Sequence, residues 1–243
     1  GPFEPTGFVS VPFGDIDAFA NAIDHSRTIA ALVEPVQGEG GVVIPPAGYI
    51  RKMRQICSEQ DMLMIADEIQ TGLGRTGKMF ACEHAGIQPD VYILGKALGG
   101  GVEDVSAVVG SREVLEVFNP GSHGSTFGGS PLKMAVMAEA IRALSKEGLV
   151  ENSMKLGTSF RDTLEAHTRS CDSVKEIRGM GLMIGMDRME QDAEGKNAVQ
   201  EFTEQTGIPV ASIVSAQDIA EYVRGSDAKS ADKINAYLEQ YGV

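Results

Sequence analysis

The feature that most constrains the fold is a set of apolar runs, each only four or five residues long, that stop at polar residues. Ile29–Val33 runs into Glu34-Pro35, Met62–Ala66 stops at Asp67-Glu68, and Val91–Leu94 stops at Gly95-Lys96. Runs this short and this continuously apolar read as buried strands. Val105–Val109 is a fourth strand of the same kind. Between and after them the spacing predicts helices over Asp15–Ala22, capped by Asp15, and over Tyr49–Glu59, Arg112–Phe118, Pro131–Lys146 and Val150–His167. Strands separated by helices imply a parallel sheet with helices against it. Ligands of open α/β sheets bind along the edge where the strands end, so Glu34, Asp67 and Lys96 fall where a site is expected.

Charge and composition narrow the function class. A net charge of −13 argues against nucleic acid, which needs a basic footprint, and against anionic membrane surfaces. No apolar run approaches the roughly 20 residues of a membrane span. With 243 residues and 42% hydrophobic content the chain suits one large or two small domains with a real core. Three cysteines, Cys57, Cys82 and Cys171, without a C-x-x-C, suggest a reducing, cytoplasmic setting with buried thiols, no disulfide framework and no metal site. Gly1-Pro2 opens the chain without a charged-then-apolar leader, so no signal peptide is expected.

Lys96 is the residue with the most distinctive chemistry. An amine that attacks a carbonyl cofactor needs partial desolvation, which lowers its pKa and leaves a neutral fraction. Lys96 lies among Gly95, Ala97, Gly99, Gly100 and Gly101, small enough for a ring to approach the backbone. A pyridine electron sink needs a carboxylate opposite its ring nitrogen, and Asp67 is placed for it. Gln70 is within reach of a phenolic oxygen. A phosphate needs hydroxyls and backbone N–H groups near a helix start, which Gly124-Ser125-Thr126-Phe127-Gly128-Gly129 offers ahead of Pro131. His84 and His123 read as structural histidines, and Glu68 as a capping or salt-bridging carboxylate.

Four ordered motifs carry a family resemblance. They are Val33-Glu34-Pro35-Val36-Gln37-Gly38-Glu39-Gly40-Gly41, Ile65-Ala66-Asp67-Glu68-Ile69-Gln70-Thr71-Gly72-Leu73-Gly74-Arg75-Thr76-Gly77, Leu94-Gly95-Lys96-Ala97-Leu98-Gly99-Gly100-Gly101 and His123-Gly124-Ser125-Thr126-Phe127-Gly128-Gly129. Residues 1 to about 184 resemble class III pyridoxal-phosphate aminotransferases of the ornithine and acetylornithine type. The resemblance implies the large domain of a fold-type I transferase, a mostly parallel sheet with flanking helices. It also implies a homodimer that moves an amino group from an amino acid to a 2-oxo acid. Lys96 would hold pyridoxal 5'-phosphate as a Schiff base and then shuttle the substrate proton. Asp67 would pair with the pyridinium, and Gln70 would bond the phenolic oxygen. Ser125 and Thr126 would serve the phosphate, Thr126 that of the neighbouring subunit. Glu34 and Glu39 would line the substrate pocket.

The same resemblance sets expectations of difference. Residue 1 matches a point inside the family's large domain, so a truncated domain is expected. Its upstream phosphate loop and ring-stacking aromatic, and the small C-terminal domain whose arginine faces Glu39, are not matched. Glu103-Asp104 stands where the family has an aromatic-proline pair. Residues 185–243 resemble instead the end of orotate phosphoribosyltransferase, through Asp187-Arg188-Met189-Glu190 and Gly207-Ile208-Pro209-Val210-Ala211-Ser212-Ile213-Val214. The acidic pyrophosphate loop of that family is absent from the sequence. A phosphoribosyltransferase-related chain and a non-catalytic fusion or scaffold are therefore the alternatives to a transaminase.

Overall fold

The computed structural model describes residues 7–169 and 176–185; the tail resemblance at 185–243 lies almost wholly outside them, as does Cys171. By its internal contacts the chain divides into Gly1–Arg161 with Arg178–Gly185, and Asp162–Ile177 with Met186–Val243. Nearly everything described belongs to the first unit. No helix among the described residues is long and apolar enough to cross a membrane.

The elements follow the sequence pattern closely. Helix α1 (Ile16–Asn21) starts where the Asp15 carboxylate accepts the Ala18 N–H at 2.8 Å. Strand β1 (Ala30–Val33) leads to α2 (Tyr49–Glu59), whose Tyr49, Ile50, Met53 and Cys57 recur at helical spacing and bury one stripe. Strands β2 (Leu63–Asp67) and β3 (Val91–Leu94) follow, then β4 (Ala107–Gly110) and the single turn α3 (Arg112–Leu115). Helix α4 (Pro131–Lys146) opens on proline, whose missing N–H is harmless in the first turn. Helix α5 (Leu149–Thr168) and the hairpin β5 (Arg178–Met180) and β6 (Met183–Gly185) complete the described chain.

One sheet in the order β1-β2-β3-β4 organises the first unit. β1, β2 and β3 are parallel, in register Leu32↔Ile65↔Val91. β4 is antiparallel to β3, so the sheet is mostly parallel, with one antiparallel edge strand whose direction the sequence pattern does not specify. The reason lies in the connection: a parallel return needs a crossover of a dozen or more residues, usually a helix. Residues 95–106 contain only the 3-10 turn Lys96–Gly99, so the chain doubles back.

Two buried clusters lie on one face. Phe19 of α1 and Ile50, Met53 and Cys57 of α2 pack with Ala31, Val33 and Met64. Met137 and Leu144 of α4 pack with Tyr92, Leu94, Leu98 and Ala107. On the opposite face Leu32 is 56% exposed and Val108 is 58% exposed, with Leu63 also open. Parallel strands normally bury both faces; here the second face is open at Leu32, Leu63 and Val108, whereas Val91, in register with Leu32 and Ile65, is buried.

Candidate active site

The turn leaving β2 sends four consecutive side chains to four places. Asp67 Oδ1 accepts the Ile69 N–H at 3.0 Å, a local turn that fixes the carboxylate at the strand end. Its Oδ2 accepts from no described residue. Ile69 backs onto Gly95, where a Cβ would stand 3.3 Å from Ile69 Cγ2, and so supports the backbone just before Lys96. Gln70 lays its amide against Gly38, thirty-two positions earlier in the chain.

Glu68 turns inward and is fully buried. Its Oε2 accepts the Thr71 hydroxyl at 2.5 Å and the Ala81 N–H at 2.9 Å, and its Oε1 accepts the Cys82 N–H at 2.9 Å. It caps the 3-10 helix Ala81–Ala85, and no described cation pairs with it. Of the two roles open to Glu68 in the sequence, capping is the observed one. Burial pushes the neighbouring Cys82 thiol well up, and the Glu68 carboxylate adds to it. Burial likewise leads in raising Tyr92 to about 12, with Cys82 and Glu68 contributing. Cys57 and Cys82 are both buried and free. His84 Nε2 lies 3.2 Å from both the carbonyl and the hydroxyl of buried Thr76, a structural role.

At the end of β1 the Glu34 carboxylate accepts the Gly38 N–H at 3.1 Å. The turn beyond is closed by paired backbone bonds between Gln37 and Val43, at 2.9 and 3.1 Å. Val36 and Val42 on its flanks pack against Met183 of β6, so the hairpin braces the turn from behind. Glu39 at the tip reaches Lys96, with Oε1 3.7 Å from Nζ.

Lys96 follows β3 with φ +46°, in the left-handed region that few side chains adopt. Its side chain is 54% exposed, more open than the sheltered amine expected from the chemistry. Its ion-pair partner Glu39 is itself 88% exposed. The sheet edge thus brings together Glu34, Glu39, Asp67, Gln70 and Lys96. Ser125 and Thr126 stand apart on an exposed loop, where the Ser125 hydroxyl accepts the Gly128 N–H at 2.9 Å. No described contact ties either residue to Lys96. Sequence reasoning missed the contacts of Gly38 and Ile69; the small residue between Gln37 and Glu39 was visible, but nothing local names its partner.

The comparisons with known proteins give the family of the chain. The family model described as aminotransferase class-III matches residues 15–220, and the chain belongs to that family. Ornithine aminotransferase from Oceanobacillus iheyensis is 52% identical over 187 residues, covering 77% of this chain and 46% of that protein. Among solved structures, ornithine aminotransferase from Toxoplasma gondii ME49 superposes with a TM-score of 0.72 at 45% identity, covering 75% of this chain and 43% of that one. Acetylornithine aminotransferase from Elizabethkingia anophelis gives a TM-score of 0.70 at 44% identity over 72% of this chain and 44% of that one. The chain spans about half the length of the curated relatives it matches, 46% in each of the first several. The fold is part of the fold-type I transferase large domain.

Proposed function

We propose that this chain carries the lysine half of an ornithine/acetylornithine-type transaminase, which uses pyridoxal 5'-phosphate to move an amino group from an amino acid to a 2-oxo acid. What supports the reading is that the neighbouring parallel strands β2 and β3 end at Asp67 and just before Lys96, and that Asp67 Oδ2 accepts from no described residue. The donor set suits the cofactor: an amine for its carbonyl, a carboxylate for its ring nitrogen, the Gln70 amide for its phenolic oxygen, and the hydroxyls of Ser125 and Thr126 for a phosphate. When bound, the cofactor supplies the electron sink that makes a substrate Cα–H acidic.

The chain's own residues supply the rest. Asp67, fixed by its bond to Ile69, would hold the cofactor's ring nitrogen and keep a proton there. The Lys96 amine would act as the base that takes the proton from the substrate's Cα and, as the ammonium, would return it at cofactor C4′. Glu34 and Glu39 give the edge two carboxylates that suit a donor with a second ammonium group, as ornithine has. The exposed loop holding Thr126, with Phe127 77% exposed, supports a homodimer in which that loop serves the neighbouring subunit. The two free buried thiols support a reducing, cytoplasmic setting. Residues 1–184 are then a partial large domain. Nothing observed favours the phosphoribosyltransferase alternative or a purely structural fusion.

The test is direct. Incubation with pyridoxal phosphate should give a visible band that borohydride traps as a stable adduct on the Lys96 peptide, and Lys96→Ala should abolish it. A folded protein that gives no band, or a band unaffected by Lys96→Ala, rules the proposal out.

A further inference from the structure

We infer that Gly38 is a positioning residue whose lack of a side chain seats the Gln70 amide at the cofactor edge. Three observations carry this. A Cβ on Gly38 would stand 2.9 Å from Gln70 Nε2 and closer still to Oε1 and Cδ, distances that real Cβ atoms essentially never show. The backbone at Gly38 lies outside the left-handed region, unlike Gly41 at φ +97°, so its φ alone does not require glycine here. The Gly38 N–H is held by Glu34 at 3.1 Å, and the turn is clamped between Gln37 and Val43 and braced by Met183, so the backbone is not free to retreat.

The atoms that would clash are the far end of a flexible side chain, so the accommodation falls on Gln70. Gly38→Ala therefore folds and swings the amide away from its seat. Gly38 thus joins the ends of two strands: Glu34 holds its N–H and Gln70 rests on its Cα. The consequence for the cofactor rests on the pyridoxal-phosphate reading above, in which the Gln70 amide donates to the phenolic oxygen. Losing that donor makes the oxygen more basic and raises the pH at which the visible band titrates.

The experiment has two arms on the full chain. Without cofactor, the Gln70 side-chain amide signals in a 15N-correlated spectrum, assigned by their loss in Gln70→Ala, should move in Gly38→Ala. They should stay put in Gly40→Ala, a change in the same turn where the added Cβ meets only ordinary contacts of 3.5 Å and beyond. The unfolding midpoint of Gly38→Ala should change by no more than a few degrees. With pyridoxal phosphate, the pH midpoint of the visible band should rise by about one unit in Gly38→Ala, the order of one charge-assisted hydrogen bond. Gln70→Ala should show a rise of similar size, and the double variant should match Gln70→Ala. Gln70 signals unmoved in Gly38→Ala would overturn the inference, and so would a double variant shifted well beyond Gln70→Ala. If the parent chain gives no visible band, the pyridoxal reading fails and takes the cofactor consequence with it, while the first arm still decides whether Gly38 seats Gln70.

Discussion

Removing the Glu68 carboxylate is the most informative perturbation of the scaffold behind the site. Glu68→Ala leaves the Ala81 and Cys82 N–H groups and the Thr71 hydroxyl without their acceptor in a fully buried place. Each orphaned group costs about 1–3 kcal/mol. Relief of burying a carboxylate offsets part of this, so a net loss of about 3–5 kcal/mol is expected. Against a domain stability of about 5–15 kcal/mol, that is a large fraction. Glu68→Gln keeps one oxygen acceptor but turns an NH2 group toward one of the donors, which should cost about 1–3 kcal/mol. Urea unfolding at neutral pH should therefore give the parent the highest transition midpoint, Glu68→Gln the next and Glu68→Ala the lowest. An alanine variant within about 1 kcal/mol of the parent would refute the reasoning, because three buried bonds to one carboxylate would then be contributing almost nothing.

Three further outcomes follow from particular positions. Val33→Ala, at a buried position, should cost about 2 kcal/mol in urea unfolding, whereas Leu32→Ser, at an exposed position on the other face, should cost less than about 1 kcal/mol. Equal losses would mean that both faces are covered. Cys57, Cys82 and Tyr92 all have raised folded-state pKa values, chiefly through burial. The unfolded chain therefore releases these protons first, and stability present below the unfolded thiol value of 9.0 should fall as pH rises above it. Replacing both cysteines with alanine should flatten that slope in urea midpoints measured across the alkaline range. At Lys96, where φ is +46°, Lys96→Gly should be more stable than Lys96→Ala by about 1 kcal/mol, read from the same unfolding curves.

What can be read from the sequence is what local pattern determines. The bounds of α2 and α4 are legible because an apolar stripe marks one and a proline in its first turn marks the other. Helix α3 is shorter than expected, ending at Leu115 with a lone turn's worth of bonds behind the Ser111 cap. β3 is legible residue for residue, but the direction of β4 is not, since it depends on how far a connection can carry the chain. The site shows the same division. Lys96, Asp67 and Gln70 announce themselves by residue type at strand ends. The contact between Gly38 and Gln70 joins positions thirty-two apart, and Glu68 finds its donors thirteen and fourteen residues on. No local pattern encodes those distances.

The magnitudes also decide what aims the lysine. The ion pair with Glu39 is the obvious candidate, but at 3.7 Å between two largely solvated groups it is worth about 1 kcal/mol before side-chain entropy is subtracted. So weak a pair does not fix the amine. The backbone is the stronger constraint. Gly95 is buried against Ile69, and Lys96 is then held in a left-handed conformation that costs roughly 1–2 kcal/mol for a residue with a Cβ. A chain adopts such a conformation only where its surroundings enforce it. Ile69 belongs to the same turn that fixes Asp67 through its N–H and sends Gln70 to Gly38. One four-residue turn therefore sets the carboxylate, the amide and the backbone leading to the amine. The relative placement of these three groups is a property of the sheet edge itself, whatever later covers the exposed side of Lys96.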